Sequence, residues 1–84
     1  MLSMPVPKAG VVAASGGNHG AAVAFAAQSL GHRAEIFVPS LASKAKIARI
    51  ESFGANVHVI PGAYADALAA AEAHQSETGA IGIH

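Results

Sequence analysis

The feature that most constrains the fold is the alternation of short apolar runs with longer segments of helical composition. The apolar runs occupy residues 10–14, 34–38, 57–60 and 80–83. The predicted helices occupy residues 21–30, 43–53 and 64–78, and the glycine that follows each of them is a typical helix stop. Strands that alternate with helices pair in parallel through right-handed crossovers, and uniformly apolar strands indicate a sheet covered on both faces. The sequence therefore predicts an α/β fold in which βαβαβαβ forms three layers around a parallel sheet.

The predicted organisation is one small Rossmann-like domain with exposed apolar surface. Residues 1–9 are interpreted as a lead-in and residues 10–84 as the domain. Only 12% of the residues are charged, whereas about a quarter are charged in a typical domain. Residues 21–27 contain no polar side chain, so the first helix should be buried on more than one side. We expect either further polypeptide of a larger protein or a second copy of the chain to cover this helix.

Composition excludes several classes of function. The formal net charge is zero and basic residues are not clustered with aromatic ones, which argues against nucleic-acid binding. The longest apolar stretch of the first helix is too short to span a bilayer, and residues 1–8 lack the pattern of a signal peptide. A cytoplasmic protein without a membrane partner is expected. The chain has no cysteine, and its five histidines are scattered, so no metal site is predicted.

The segment most informative about function is the loop Ser15-Gly16-Gly17-Asn18-His19, which is followed by Gly20. It lies where the first strand ends and the first helix begins, which is where ligands bind in open α/β sheets. Glycines allow the backbone to approach a ligand closely, and a helix N-terminus attracts anions. The hydroxyl of Ser15 and the amide of Asn18 can add hydrogen bonds. The loop is therefore a candidate site for a small anion such as a carboxylate.

Two other interpretations of this loop do not involve a carboxylate site. In the first, it is only a tight turn in which Asn18 caps the helix. In the second, Gly16-Gly17 and Gly20 belong to a dinucleotide-binding loop. That kind of loop requires an acidic residue at the end of the second strand, but Glu35 lies near the start of that strand.

The residues from Val12 to Gly20 resemble the Ser-x-Gly-Asn-His loop of fold-type II pyridoxal-phosphate enzymes, and the closest branch contains threonine dehydratase, serine dehydratase and serine racemase. The resemblance extends over nearly the whole chain. Its further elements, in the order and near the spacing of the family, are Ala24-Phe25-Ala26-Ala27, Leu30-Gly31, Val38-Pro39, Lys46, Phe53-Gly54-Ala55, Tyr64 with Ala67, and Ile83-His84.

The resemblance implies a role for each residue of the loop. The segment Ser15-Gly16-Gly17-Asn18-His19 would bind the substrate carboxylate through side-chain hydroxyl and backbone N–H groups. Asn18 would also contact the ring oxygen of the cofactor, pyridoxal 5'-phosphate. Gly16 stands where racemases of the family carry a second serine as acid/base, which favours elimination over racemisation. Ala21 replaces a frequent glutamine of the family.

The resemblance also implies parts that this chain does not contain. The family's Schiff-base lysine lies upstream of the loop, and its glycine-rich phosphate-binding loop lies downstream. Lys8 is the only lysine before the loop, and a five-residue strand would place it about 17 Å away, at the other end of the sheet. Lys44 and Lys46 are expected to be solvated. No catalytic residue is therefore predicted within the chain.

The leading hypothesis from these observations is a fragment of a pyridoxal-phosphate-dependent threonine or serine ammonia-lyase. The chain would be the small domain of that enzyme, truncated at both ends relative to the family, and the substrate would be a small hydroxy amino acid. The alternative is a non-catalytic module that binds small anions, or the product of a decayed gene.

Overall fold

The computed structural model describes residues 8–16 and 18–83, which form four strands and three helices in strict alternation. The elements are β1 (Val11–Ala14), α1 (Asn18–Ser29), β2 (Ala34–Pro39), α2 (Lys44–Ser52), β3 (Asn56–Ile60), α3 (Tyr64–Thr78) and β4 (Ile81–Gly82). The predicted α/β alternation is confirmed, and α3 has the predicted bounds. Ser43 caps α2, because its Oγ accepts a hydrogen bond from the Lys46 N–H at 3.2 Å.

The strands form one parallel sheet in the order β3-β2-β1-β4. The chain moves in one direction from β1 to β3 and then returns past β1 to add β4 on its other side. Because crossovers between parallel strands are right-handed, this reversal places α1 and α2 on one face and α3 on the other. The sheet is therefore the middle of three layers, as the sequence predicts.

Each face of the sheet has its own apolar core. The core on the α1 and α2 side includes the fully buried Ile36, Val38 and Ile50. The core on the α3 side includes Val12 and Ala67. All four residues of β1 and all six of β2 are buried, whereas the edge strand β3 is largely half-exposed. The central strands thus carry most of the packing, and they determine where the loop after β1 lies.

The first helix differs from its prediction in two ways. It begins at Asn18 rather than at residue 21, because the hydroxyl of Ser15 caps its first turn. Its buried residues, which are Gly20, Ala21, Ala24 and Ala27, form a single stripe against the sheet. Phe25, on the flank of that stripe, is 56% exposed, and its ring meets the Phe53 ring edge to face. The expectation of burial on more than one side is therefore not met within the described part of this chain, because the sheet covers one face of the helix and α2, which also contacts α1, leaves Phe25 more than half exposed.

A tight approach of two backbones determines how the chain enters β1. Gly10 has a φ of +76°, and a Cβ atom added at this position would overlap the carbonyl oxygen of Arg33. The neighbouring Val11 N–H donates to that same oxygen at 2.9 Å. Glycine is thus required here both for its conformation and for the space.

Candidate functional site

The loop between β1 and α1 lies at the point where the strand order reverses. The connection from β1 leads to β2 on one side, while β4 occupies the other side of β1. In open α/β sheets the crevice at the carboxyl ends of two such strands is where ligands bind. The loop and the end of β4 therefore border the position at which this fold places a site.

Ser15 is held firmly at the base of the loop. It is 1% exposed, and its N–H donates to the carbonyl oxygen of Phe37 at 2.9 Å. Its Oγ accepts a hydrogen bond from the Gly20 N–H at 2.7 Å. A Cβ atom at Gly20 would lie 2.9 Å from this Oγ, so the absence of a side chain there allows the close contact. The hydroxyl of Ser15 thus caps α1 and anchors the turn.

This bond corrects the interpretation in which Asn18 is the cap. Asn18 is the first residue of α1 and is exposed, whereas the capping oxygen comes from Ser15, three residues earlier. Ser15 directly follows the buried strand β1, so its hydroxyl lies beneath the first turn of α1. The first-turn N–H groups of Asn18 and His19 remain at the helix N-terminus, where an anion is favoured.

Gly16 is exposed at the top of the loop. An added Cβ atom would meet nothing within 4 Å, so the backbone here borders open space. Gly17, the remaining predicted ligand-binding residue, lies outside the described residues. The described part of the loop is therefore open to an incoming group on the side of Gly16.

The structure places Asn18 and His19 in different grooves, although they are adjacent in sequence. Asn18 lines a groove between α1 and α2 with Phe25, Arg49 and Phe53. His19 lines a second, mostly apolar groove with Leu30, among other residues. Successive residues of a helix point about 100° apart, so the two side chains cannot line one narrow pocket. Their backbone N–H groups nevertheless share the same helix end.

Arg49 was not recognised in the sequence as a neighbour of the loop. It lies in α2 and lines the same groove as Asn18. A cationic residue one turn before the end of a predicted helix gives no local signal of such a contact. Lys8 precedes β1 at the amino end of the strand, while Lys44 and Lys46 are exposed in the first turn of α2.

A second polar cluster lies near the start of β2, away from the loop. The Glu35 carboxylate is buried, and it accepts a hydrogen bond from the Asn56 amide at 2.8 Å. The His58 Nε2 lies 2.7 Å from the other carboxylate oxygen. The ring of His58 stacks on Phe37 at a centroid distance of 4.4 Å, and the ring of His74 lies 5.4 Å from Phe37. His74 of α3 is therefore part of a cluster with the sheet.

The surroundings of Glu35 determine its charge. Burial raises the pKa of Glu35, but the hydrogen bonds from Asn56 and His58 and the nearby charges of His58 and His74 more than offset this and hold the pKa below its usual value. Glu35 is thus an ionised structural residue in the amino half of β2. It does not stand at the carboxyl end of the strand, where a dinucleotide-binding fold needs its acidic residue.

Two further observations concern other kinds of site. Within residues 8–16 and 18–83, no three side chains of the metal-binding types converge on one point. Among the described helices, none combines the length and the apolar character needed to cross a bilayer.

Comparisons with known proteins extend these observations. The family model described as pyridoxal-phosphate dependent enzyme matches residues 3–84. An L-threonine ammonia-lyase of Thermotoga maritima is 42% identical over 83 residues, which is 99% of this chain and 21% of that protein. The structure of maize serine racemase superimposes with a TM-score of 0.85 at 35% identity, over 92% of this chain and 23% of that one. Holo diaminopropionate ammonia lyase from Escherichia coli gives a TM-score of 0.88 at 28% identity, over 98% of this chain and 21% of that one.

The chain spans about a fifth of the length of the curated relatives that it matches. Nearly all of the chain lies within the family model, and the maize serine racemase structure superimposes on most of the chain. The cofactor of this family is pyridoxal phosphate. On these grounds, the chain belongs to the family of pyridoxal-phosphate dependent enzymes.

Proposed function

We propose that this chain supplies the loop that binds the substrate carboxylate in a pyridoxal-phosphate-dependent ammonia-lyase acting on a small hydroxy amino acid such as L-threonine or L-serine. The observation that carries the proposal is the position of Ser15-Gly16-Gly17-Asn18-His19 at the reversal of strand order, at the start of α1. The relatives named as threonine ammonia-lyases and dehydratases support the choice of reaction.

The residues present fit the carboxylate of a substrate. The first turn of α1 offers N–H groups at the positive end of a helix, and the open space above Gly16 leaves room for the group to approach. In the proposal, the N–H groups of the loop orient the carboxylate, and the bond between Ser15 and Gly20 keeps them in place. Because Gly16 has no side chain, this position neither donates nor accepts a proton, which favours elimination over racemisation.

The residues also fit one contact with the cofactor. Asn18 is exposed at the helix start and can donate its amide hydrogens to the ring oxygen of pyridoxal phosphate. The cofactor, when bound, supplies the electron sink for the loss of the α-proton and of the β-hydroxyl. The chain itself would contribute binding and orientation to that reaction.

The chain is proposed to lack the lysine that anchors the cofactor. Lys8 lies at the amino end of β1, opposite the loop, and the exposed Lys44 and Lys46 belong to another helix. We therefore infer that residues 10–84 form the small domain of a longer cytoplasmic enzyme and that residues 1–9 lead into it. The exposed side of α1, which includes Phe25, would be covered by the rest of that enzyme or by a second copy of the chain.

The proposal is tested first on the isolated chain with added pyridoxal phosphate. No lyase activity and no stoichiometric absorbance band of a lysine-bound cofactor are expected. A band that survives separate replacement of Lys8, Lys44 and Lys46 would contradict the assignment of lysines. A band lost only in Lys8→Ala would show that the geometry argued for Lys8 is wrong.

The loop itself is tested in the complete enzyme. Asn18→Ala should lower kcat through loss of the ring contact, and Ser15→Ala should mainly raise KM. Asn18→Ala removes a hydrogen bond to the polarised ring oxygen, and Ser15→Ala removes the bond that holds the carboxylate-binding N–H groups in place, so an effect of about ten- to a hundredfold is expected. Gln28→Ala is a matched control, because Gln28 is an exposed amide at the far end of the same helix. If both loop variants have the kcat and KM of the wild type, the assignment of this loop as the site is wrong.

The neighbouring genomic sequence separates the enzyme from the alternative of a stand-alone module. An upstream Ser-Phe-Lys-like segment and a downstream glycine-rich loop in the same reading frame would support the enzyme. A start codon and a stop codon that delimit these 84 residues would instead support a small-anion-binding module or a decayed gene.

A further inference from the structure

The net charge of the chain is zero, but its charged residues are distributed unevenly over the two faces of the molecule. Helix α2 carries Lys44, Lys46 and Arg49 against a single acidic residue, Glu51, for a formal charge of +2. Helix α3 carries three acidic residues and neither lysine nor arginine, for a formal charge of −3. The two helices cover opposite faces of the sheet, so one face of the molecule is basic and the other acidic.

The basic face contains an open groove with apolar walls. This groove, between α1 and α2, has a volume of about 590 Å³ and is lined by Asn18, Ala21, Ala22, Phe25, Arg49 and Phe53. Phe25 and Phe53 meet edge to face at a centroid distance of 5.4 Å. No carboxylate lies within ion-pair distance of Arg49 in the part of the chain that the structure describes. The groove thus combines exposed aromatic surface with an unneutralised cation.

The acidic face presents a ridge that complements this groove. Ala65, Ala69 and Ala73 are exposed at four-residue spacing along α3, where their small side chains permit close approach of another helix. The flanking acidic residues of α3, which are exposed, are Asp66, Glu72 and Glu77. An apolar ridge with acidic margins thus complements an apolar groove with a basic margin in charge and in polarity.

We propose that the α1–α2 groove of one chain accepts helix α3 of a second copy. Because groove and ridge lie on opposite faces, the contact joins two different surfaces, and each bound copy still offers a free groove or ridge. Such head-to-tail contacts that do not close into a ring continue into open-ended assemblies. The inference does not rest on the proposed lyase role, and in the 84-residue chain the contact would occupy the groove that Asn18 lines.

Three chains with the same net charge test the contact by sedimentation. The wild type should form a series that lengthens with concentration. Arg49→Glu combined with Glu72→Lys removes the complementarity at constant net charge and should weaken association about tenfold. Adding Lys46→Glu and Glu77→Lys inverts both faces and should restore association. All four positions are exposed, and circular dichroism checks that each variant is folded.

The outcomes are distinguishable from pairing of two copies through α1 alone. That contact would stop at a dimer and would be indifferent to the charge changes, and either result overturns the proposal. So does a fourfold variant that associates as weakly as the double variant. Raising the salt concentration from about 0.1 M to about 1 M shortens the screening length from about 10 Å to about 3 Å, and it should weaken the wild-type series. Association that does not respond to salt would also refute the contact.

Discussion

Replacing Ser15 by alanine should destabilise the chain even when no ligand is present. The Oγ of Ser15 is the acceptor for the Gly20 N–H at 2.7 Å, and both residues are buried. Ser15→Ala leaves this donor without its acceptor where water has little access. An unsatisfied buried donor costs about 1–3 kcal/mol, and loss of a helix cap costs about 0.5–2 kcal/mol.

Both ranges describe the same lost bond, so they are not added, and we expect a loss of about 1.5 kcal/mol in the free energy of unfolding. For a domain of this size that corresponds to a melting temperature lower by about 6–12 °C. Urea denaturation followed by circular dichroism measures the free energy, and a thermal scan measures the shift.

Ser29→Ala provides the matched control for this measurement. Ser29 is also a serine of α1, but it is exposed, and its Oγ donates to the Phe25 carbonyl oxygen at 3.0 Å. Since alanine is a better helix former, this variant should stay within about 0.5 kcal/mol of the wild type. Equal stability of the two variants would refute the capping role of Ser15. A rise in KM for Ser15→Ala in the full enzyme could then be assigned to ligand binding alone.

Three further changes test other parts of the structure. Gly10→Ala should lower the free energy of unfolding, measured by urea denaturation, by at least about 2 kcal/mol, because the position has a positive φ and an added Cβ atom would overlap the Arg33 carbonyl oxygen. The control Gly79→Ala has a similar φ but open space around it, so it should lower that free energy by only about 1 kcal/mol. Because the pKa of Glu35 is depressed in the folded state, its ionised carboxylate stabilises the fold above its unfolded pKa, and this stability is lost as the pH falls through its folded pKa. Below about pH 5, the free energy of unfolding of the wild type should therefore fall more steeply with decreasing pH than that of Glu35→Gln. Equal slopes would contradict the assigned surroundings of Glu35. Gly16→Ser should leave the melting temperature unchanged within about 2 °C, since its Cβ atom meets nothing within 4 Å, and a large loss would show that the loop is more closed than described.

The order of the elements could be predicted from the sequence because its signals are local. Apolar runs of four or five residues, a capping Ser43 and glycines after the helices act within a few residues of where they stand. The position of the Ser15 loop directly after a strand followed from the same signals. The start of α1 was misplaced because glycine and asparagine are poor helix formers, and the capping bond from Ser15 outweighed that preference.

Contacts between distant segments were decided only by the tertiary structure. The placement of β4 beside β1, which makes the loop a boundary of the crevice, depends on the packing of α3 on the opposite face. Glu35 and His58 are 23 residues apart and meet because parallel pairing of β2 with β3 brings them side by side. Arg49 reaches the groove of Asn18 through the packing of α2 against α1. A periodic pattern reports which face of an element is apolar, but it carries no information about which other element will cover that face, because that choice depends on the combined burial of all the layers.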